Sequence, residues 1–285
     1  MPRDESTRAA GRVAAAPADS TTGSAAKAID VRNLTVRFAA DGTSPVLAVD
    51  NASLSVTAGQ FVSLVGPSGC GKTTILNLLA GLLDVTPEGH VEVLGKAPRS
   101  GNPDIAYMLA RDSLMPWRTA LGNAAYGMEV RNVPARDREA RAKDLLERVG
   151  LGGFTDKYPK ALSHGMRQRC ALARTFALDS PVFLMDEPFG ALDAQTKLQL
   201  EDVLMDLWST YRKTVVFVTH DLAEAVALSD RVIVMSARPG RIVAHVTIDL
   251  PRPRSVRALQ KDQHFHALYG QLWSLLEQGM GQHDH

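Results

Sequence analysis

Cysteine is nearly missing from this chain: Cys70 and Cys170 are the two among 285 residues. Two thiols cannot build the bridged framework of a small secreted domain, so apolar packing must supply the core, and a reducing compartment is expected. Aromatic residues are also scarce, at 6%, and neither sign of charge dominates, with 32 Lys and Arg against 31 Asp and Glu. A formal charge of +1 excludes a nucleic-acid binder held by bulk charge, and no nucleic-acid partner is expected. No apolar run approaches the roughly 18 residues of a membrane span, which predicts a chain that does not cross a bilayer by itself. What is present is an apolar fraction of 45%. That is enough for one large domain or two small ones without a disulfide or a metal.

The first stretch, residues 1 to 28, is rich in Ala, Ser, Thr and Gly. It has no continuous apolar core of the signal-peptide kind, and Asp4, Glu5 and Asp19 oppose a transit peptide. It reads as a disordered tail. From about Ile29 the apolar residues tend to alternate, through Val31, Leu34, Val36 and Phe38 and again at Leu54 and Val56, with Asp41-Gly42 between the runs as a hairpin signal. A further alternating run, His90 to Leu94, completes a predicted small antiparallel sheet. Short strands of the fully buried kind are predicted from Phe61 to Val65, Val182 to Met185, Val215 to Val218 and Val232 to Met235. Helical faces lie between them: Ile75, Leu78, Leu79, Leu82 and Leu83 on one helix expected from Thr73 to Leu83, and Leu200, Val203, Leu204, Leu207 and Trp208 on another. Strands alternating with helices predict an α/β fold, a parallel sheet with helices on both sides. From about Thr119 to Ala177 the pattern is mainly helical, so a helical lobe is expected to interrupt the sheet.

The sharpest chemical signal is Gly66-Pro67-Ser68-Gly69-Cys70-Gly71-Lys72-Thr73, followed by Thr74. This G-x-x-x-x-G-K-[ST] run follows a predicted strand and opens a predicted helix, the context a phosphate-binding loop requires. Glycines let successive N–H groups turn inward toward phosphate oxygens, and the helix adds the positive end of its dipole. Lys72 should reach the β- and γ-phosphates, and the Thr73 hydroxyl should ligate Mg²⁺. The site therefore predicts a nucleoside triphosphate on a P-loop NTPase core. A second signal, Val182-Phe-Leu-Met-Asp186-Glu187-Pro, ends an apolar strand on two carboxylates at the edge where such sheets bind ligands. Asp186 would hold Mg²⁺ and Glu187 would polarise the attacking water.

Three further runs resemble the ATP-binding cassette transporter ATPases. Leu162-Ser163-His164-Gly165-Met166-Arg167-Gln168-Arg169 resembles the family's signature motif, usually read L-S-G-G-Q-x-Q-R. Pro188-Phe-Gly-Ala-Leu192-Asp193 resembles the segment leading to the D-loop, and Phe217-Val-Thr219-His220-Asp221 the switch-histidine region. The resemblance covers about residues 29 to 250. It implies a RecA-like core with an antiparallel β subdomain and an inserted helical subdomain, flanked by the tail at 1–28 and a helical tail at 251–285. It also implies two cassettes closing head to tail on ATP and Mg²⁺, as a homodimer or a heterodimer. Ser163 and Gly165 would then meet the γ-phosphate on the partner's loop, and Asp193 would lie near the dimer axis. Phe38 matches the aromatic that stacks on adenine, and His220 the residue that senses the γ-phosphate.

Two departures accompany the likeness. The family normally has Gln in a pattern like F-Q-x-x-x-L-x-P-W, whereas Met108 to Trp117 here places Ala110 at that position. In the signature, His164 stands for a Gly and Met166 for a Gln. A slower ATPase, or a regulatory cassette that binds ATP with little hydrolysis, is the alternative these imply. Leu114-Met-Pro-Trp117-Arg118-Thr119, the Met166-to-Arg169 ending and Leu250-Pro-Arg-Pro-Arg254 resemble nitrate, sulfonate and taurine importer ATPases. That resemblance implies a separate transmembrane permease, a periplasmic or extracellular solute-binding protein, and a peripheral place on the cytoplasmic face of the cell membrane. His264, His266, His283 and His285 lack a ligand spacing, and no metal site is expected from them.

Overall fold

The structure is a computed structural model that describes residues 26–40, 43–110 and 113–281. The expected tail lies outside the described residues except at its end, where Lys27 and Ala28 already belong to a strand. The Asp41-Gly42 turn, His283 and His285 also lie outside them.

The first half of the domain runs β1 (Lys27–Ala40), β2 (Thr43–Thr57), β3 (Phe61–Val65), α1 (Lys72–Leu79), β4 (Glu88–Val93) and β5 (Ile105–Met108). A helical lobe follows, made of α2 (Ala120–Val130), α3 (Ala135–Arg148) and α4 (His164–Ala177). The chain then returns through β6 (Val182–Asp186), α5 (Ala194–Tyr211), β7 (Thr214–Val218), α6 (Leu222–Leu228), β8 (Arg231–Met235) and β9 (Ile242–Thr247). It closes with α7 (Val256–Leu259) and α8 (Gln263–Gly281).

The alternating strands form an antiparallel sheet in the order β2-β1-β4, with Val31 opposite Leu54 and Val91. The apolar runs form the main sheet in the order β5-β6-β7-β3-β8-β9. Strands β3, β6 and β7 are buried along their whole length, which is why they read as unbroken apolar runs rather than alternation. Two edge strands escaped the sequence reading. Strand β5 is four residues long, and β9 pairs antiparallel with β8, so the sheet is mixed rather than wholly parallel.

Side chains divide between the two faces of this sheet. Val62, Leu64, Leu184, Val216 and Val218 pack with α1 and the small antiparallel sheet, while Phe61, Val65, Phe183, Met185 and Phe217 pack with the other helices. Helices therefore cover both sides unequally, since one face carries a single helix and a second sheet. Helix α1 stops at Leu79, four residues before the expected end. Gly81, at φ 67, closes it: its N–H donates to Leu78 O at 3.0 Å and that of Leu82 to Asn77 O at 2.8 Å. Leu82 is left 55% exposed.

The C-terminal Pro-Arg run has a packing role. Arg252 lies 4.1 Å over the Trp208 ring and pairs with Asp230 at 2.8 Å. Arg254 is buried at the carboxyl end of α6, donating to Ser229 O at 2.6 Å, Ala227 O at 3.2 Å and Leu250 O at 2.8 Å. Burial pulls its guanidinium down to about 10, helped by Arg252, which still leaves it charged at neutral pH. A cation there neutralises the end of the helix dipole and bonds carbonyls that water cannot reach. Arg254→Leu is expected to cost about 3 kcal/mol of stability, read as a lower denaturant midpoint at unchanged slope. Beyond it, Phe265, Leu268 and Leu272 of α8 pack into the main core. His264 pairs with Asp249 at 2.6 Å and His266 faces Gln260 O at 3.1 Å.

Candidate functional site

Strand β3 delivers the phosphate-loop sequence to the carboxyl edge of the sheet, between β7 and β8. Gly71 has φ 99, and a Cβ there would lie 2.8 Å from Val49 Cγ2 and 3.2 Å from Ala48 O. Only glycine permits both that turn and that approach. Lys72, almost fully buried, donates through Nζ to Gly66 O at 2.7 Å and Pro67 O at 3.0 Å. The ammonium thus lies folded against its own loop. Phe38, Ser68, Gly69, Gly71, Lys72, Thr73, Thr74 and Glu187 line one cavity of about 210 Å³. Gly66, Pro67 and Cys70 belong to the loop but do not line the cavity; the Cys70 thiol is buried and burial pushes its pKa up.

The acidic strand end arrives from β6, beside β7. Asp186 accepts from Thr73 Oγ1 at 3.1 Å, and burial, with Glu187 adding to it, raises its pKa against the Thr73 hydrogen bond. Glu187 has φ 44, while its N–H still donates to Val218 O at 2.9 Å. That left-handed turn costs backbone strain and aims the carboxylate away from the strand direction. Its Oε2 stands 3.1 Å from His220 Nδ1, contributed by the loop after β7. Three segments far apart in sequence therefore converge because β6, β7 and β3 are neighbours.

A second group assembles elsewhere. Ser163 caps α4, its Oγ accepting from Met166 N–H at 3.3 Å, and Asp193 caps α5 by accepting from Thr196 N–H at 3.0 Å. A Cβ on Gly165 would lie 2.6 Å from Thr196 Cγ2, so glycine lets the two helix ends meet. Ser163, Gly165 and Asp193 line a separate cavity of about 430 Å³ with His164 and Arg169. It shares no lining residue with the first cavity. Within one chain, then, the expected site residues fall into two groups. Ala110 is exposed and two residues beyond β5; the next two residues lie outside those described.

The family model for the ABC transporter matches residues 49–190, from β2 through the phosphate loop to the turn after Glu187. An uncharacterized ABC transporter ATP-binding protein of Methanocaldococcus jannaschii is 48% identical over 232 residues, covering 81% of this chain and 86% of that protein. The chain belongs to the ABC transporter family. This ABC cassette is also 41% identical over 224 residues to the taurine import ATP-binding protein TauB of Rhizobium johnstonii, covering 79% of it and 85% of that protein. Among solved structures, the dimeric post-hydrolysis state of the ATP-binding cassette MJ0796, bound to ADP and Pi, matches with a TM-score of 0.67 at 30% identity. That match covers 78% of this chain and 100% of the other. The fold is that of an ABC ATPase, and the chain is an ATPase cassette that binds ATP.

The donor set suits a hard cation. Thr73, which lines the cavity, and Asp186 beside it offer two oxygens 3.1 Å apart. Oxygen ligands beside a phosphate site are what Mg²⁺ takes. Two cavity residues escaped the sequence reading. Ala48 comes from β2 and Arg238 from the loop after β8, and neither belongs to a motif.

Proposed function

We propose that this cassette is the ATP-hydrolysing subunit of an importer, working in pairs on the cytoplasmic face of a membrane against a separate permease that receives solute from a binding protein. The contact of Glu187 with His220 at the mouth of the phosphate cavity carries the hydrolytic part of this reading. Phe38 would stack on the base, the loop N–H groups would hold the phosphates, and Lys72 would exchange its loop carbonyls for phosphate oxygens. Glu187 would take the proton of the attacking water at its carboxylate, held in place by His220. Thr73 and Asp186 would hold Mg²⁺, which when bound neutralises charge on the transferring phosphoryl group.

The separation of the second group supports pairing. Ser163 and Gly165 sit at a helix N-terminus whose free N–H groups suit an anion, yet their own chain's phosphate loop lines a different cavity. A second copy would bring them to it. The TauB relatives support a sulfonate-class solute, chosen by the permease and the binding protein. Trp117, 72% exposed beside the helical lobe, and Leu109, 46% exposed, offer the permease an apolar footing. No described helix is long and apolar enough to cross a membrane.

Ala110 favours a second reading, a regulatory cassette that closes on ATP and turns over little. Mg-ATP hydrolysis measured across protein concentration separates the two. Specific activity that rises with concentration is the expected result for paired sites. Activity that stays flat would remove the pair, and ATP binding without turnover would favour the regulatory reading.

A further inference from the structure

Behind His220 lies a largely buried charge cluster, none of whose side chains lines either cavity. Lys197, on the first turns of α5, places Nζ 2.6 Å from Asp221 Oδ2 and 2.7 Å from Glu224 Oε1. Glu224 is 3% exposed and bonds the Thr219 hydroxyl, while Thr219 Oγ1 accepts from Asp221 N–H at 2.9 Å. Asp221 in turn caps α6, accepting from Ala223 N–H at 2.8 Å. Both neighbours of His220 in sequence are therefore fastened, and Lys197 reaches each fastening. Glu201, one helical turn further along α5 and 2% exposed, faces Lys197, Glu224 and Asp221. Burial first, then Glu224, push its carboxyl up to about 8 against the pull of Lys197, and burial raises the Glu224 carboxyl as well.

The same first turn of α5 also faces the second cavity. Asp193 and Thr196 line it, and Lys197 N–H donates to Asp193 O at 2.9 Å. The N-terminal turn of α5 thus touches both groups of site residues. We propose that Lys197 is a positioning residue for His220, passing the seating of a second chain against Asp193 and Thr196 to the histidine that holds Glu187. The proposal rests on the roles given above to Glu187 and His220. An ammonium shared by two carboxylates, one of them fully buried, resists displacement, because moving it leaves the partly buried charges unpaired. A shift of α5 therefore moves the His220 loop with it.

The test is steady-state ATP hydrolysis at a protein concentration where activity has levelled. Lys197→Met is expected to lower kcat about 30-fold with KM for ATP changed less than about twofold, since misplacement of a catalytic pair acts on the chemical step. Lys197→Arg, which keeps the charge and both pairings, should recover to within about threefold of the parent. In a His220→Ala background, Lys197→Met should cost nothing further. If Lys197→Met unfolds the protein, Lys197→Met with Glu224→Gln removes the unpaired buried charge and takes the same measurements. A further 30-fold loss on top of His220→Ala, or a loss carried by KM, would overturn the positioning role alone. A His220→Ala variant with the parent kcat would overturn the role of His220 as well, so the two failures are distinct.

Discussion

Glu187→Gln is expected to lower kcat for ATP hydrolysis about a thousandfold, in the range for removing a general base, while ATP affinity changes less than about twofold. The two side chains have the same shape, so the left-handed turn at φ 44 and the position 3.1 Å from His220 Nδ1 should persist. An amide, however, cannot accept the proton of the attacking water. Affinity should hold because the loop N–H groups, Lys72 and Phe38 are untouched. Single-turnover hydrolysis beside a fluorescent-nucleotide titration separates the two quantities. A variant that keeps a tenth of the parent rate would place the base elsewhere in the site.

Lys72→Met should weaken ATP binding about 100-fold, or about 2.8 kcal/mol. The methionine fills a similar volume in a site only 6% exposed, so packing changes little. What disappears is a charge that bonds Gly66 O at 2.7 Å and Pro67 O at 3.0 Å. Without it the loop loses its internal tie, and the bound triphosphate loses a charge-assisted bond. ADP should lose less than ATP, because the missing ammonium serves the terminal phosphates. Calorimetric titration with each nucleotide reads this directly, and equal losses for the two would remove Lys72 from the γ-phosphate.

The phosphate loop, the Asp186-Glu187 strand end and the His220 loop could be read from the sequence because each is a contiguous run whose chemistry follows its own strand. The end of α1 could have been read too, since Gly81 is the residue that usually terminates a helix. Other features carried no local sign. Arg238 and Ala48 line the cavity through loop and strand positions without any motif. The edge strands β5 and β9 are short or half-exposed, so their patterns are weak. Lys197, Glu201 and Glu224 read as ordinary charges on amphipathic helices, and nothing in their spacing says that two of them are buried together.

Local chemistry in the sequence alone determined that this chain makes a phosphate loop, two carboxylates at a strand end, a histidine just past a buried strand and a serine-capped helix. Each depends on residues within one turn or strand, where sterics and hydrogen bonding act over a few bonds. Tertiary structure decided which of them meet. The order β6-β7-β3 sets Asp186 against Thr73 and Glu187 against His220, and it leaves Ser163, Gly165 and Asp193 around another cavity. Strand order is chosen by burying both faces of the sheet at once, against α1 and the small sheet on one side and the remaining helices on the other. That is a sum over the whole core, and no single segment of sequence contains it.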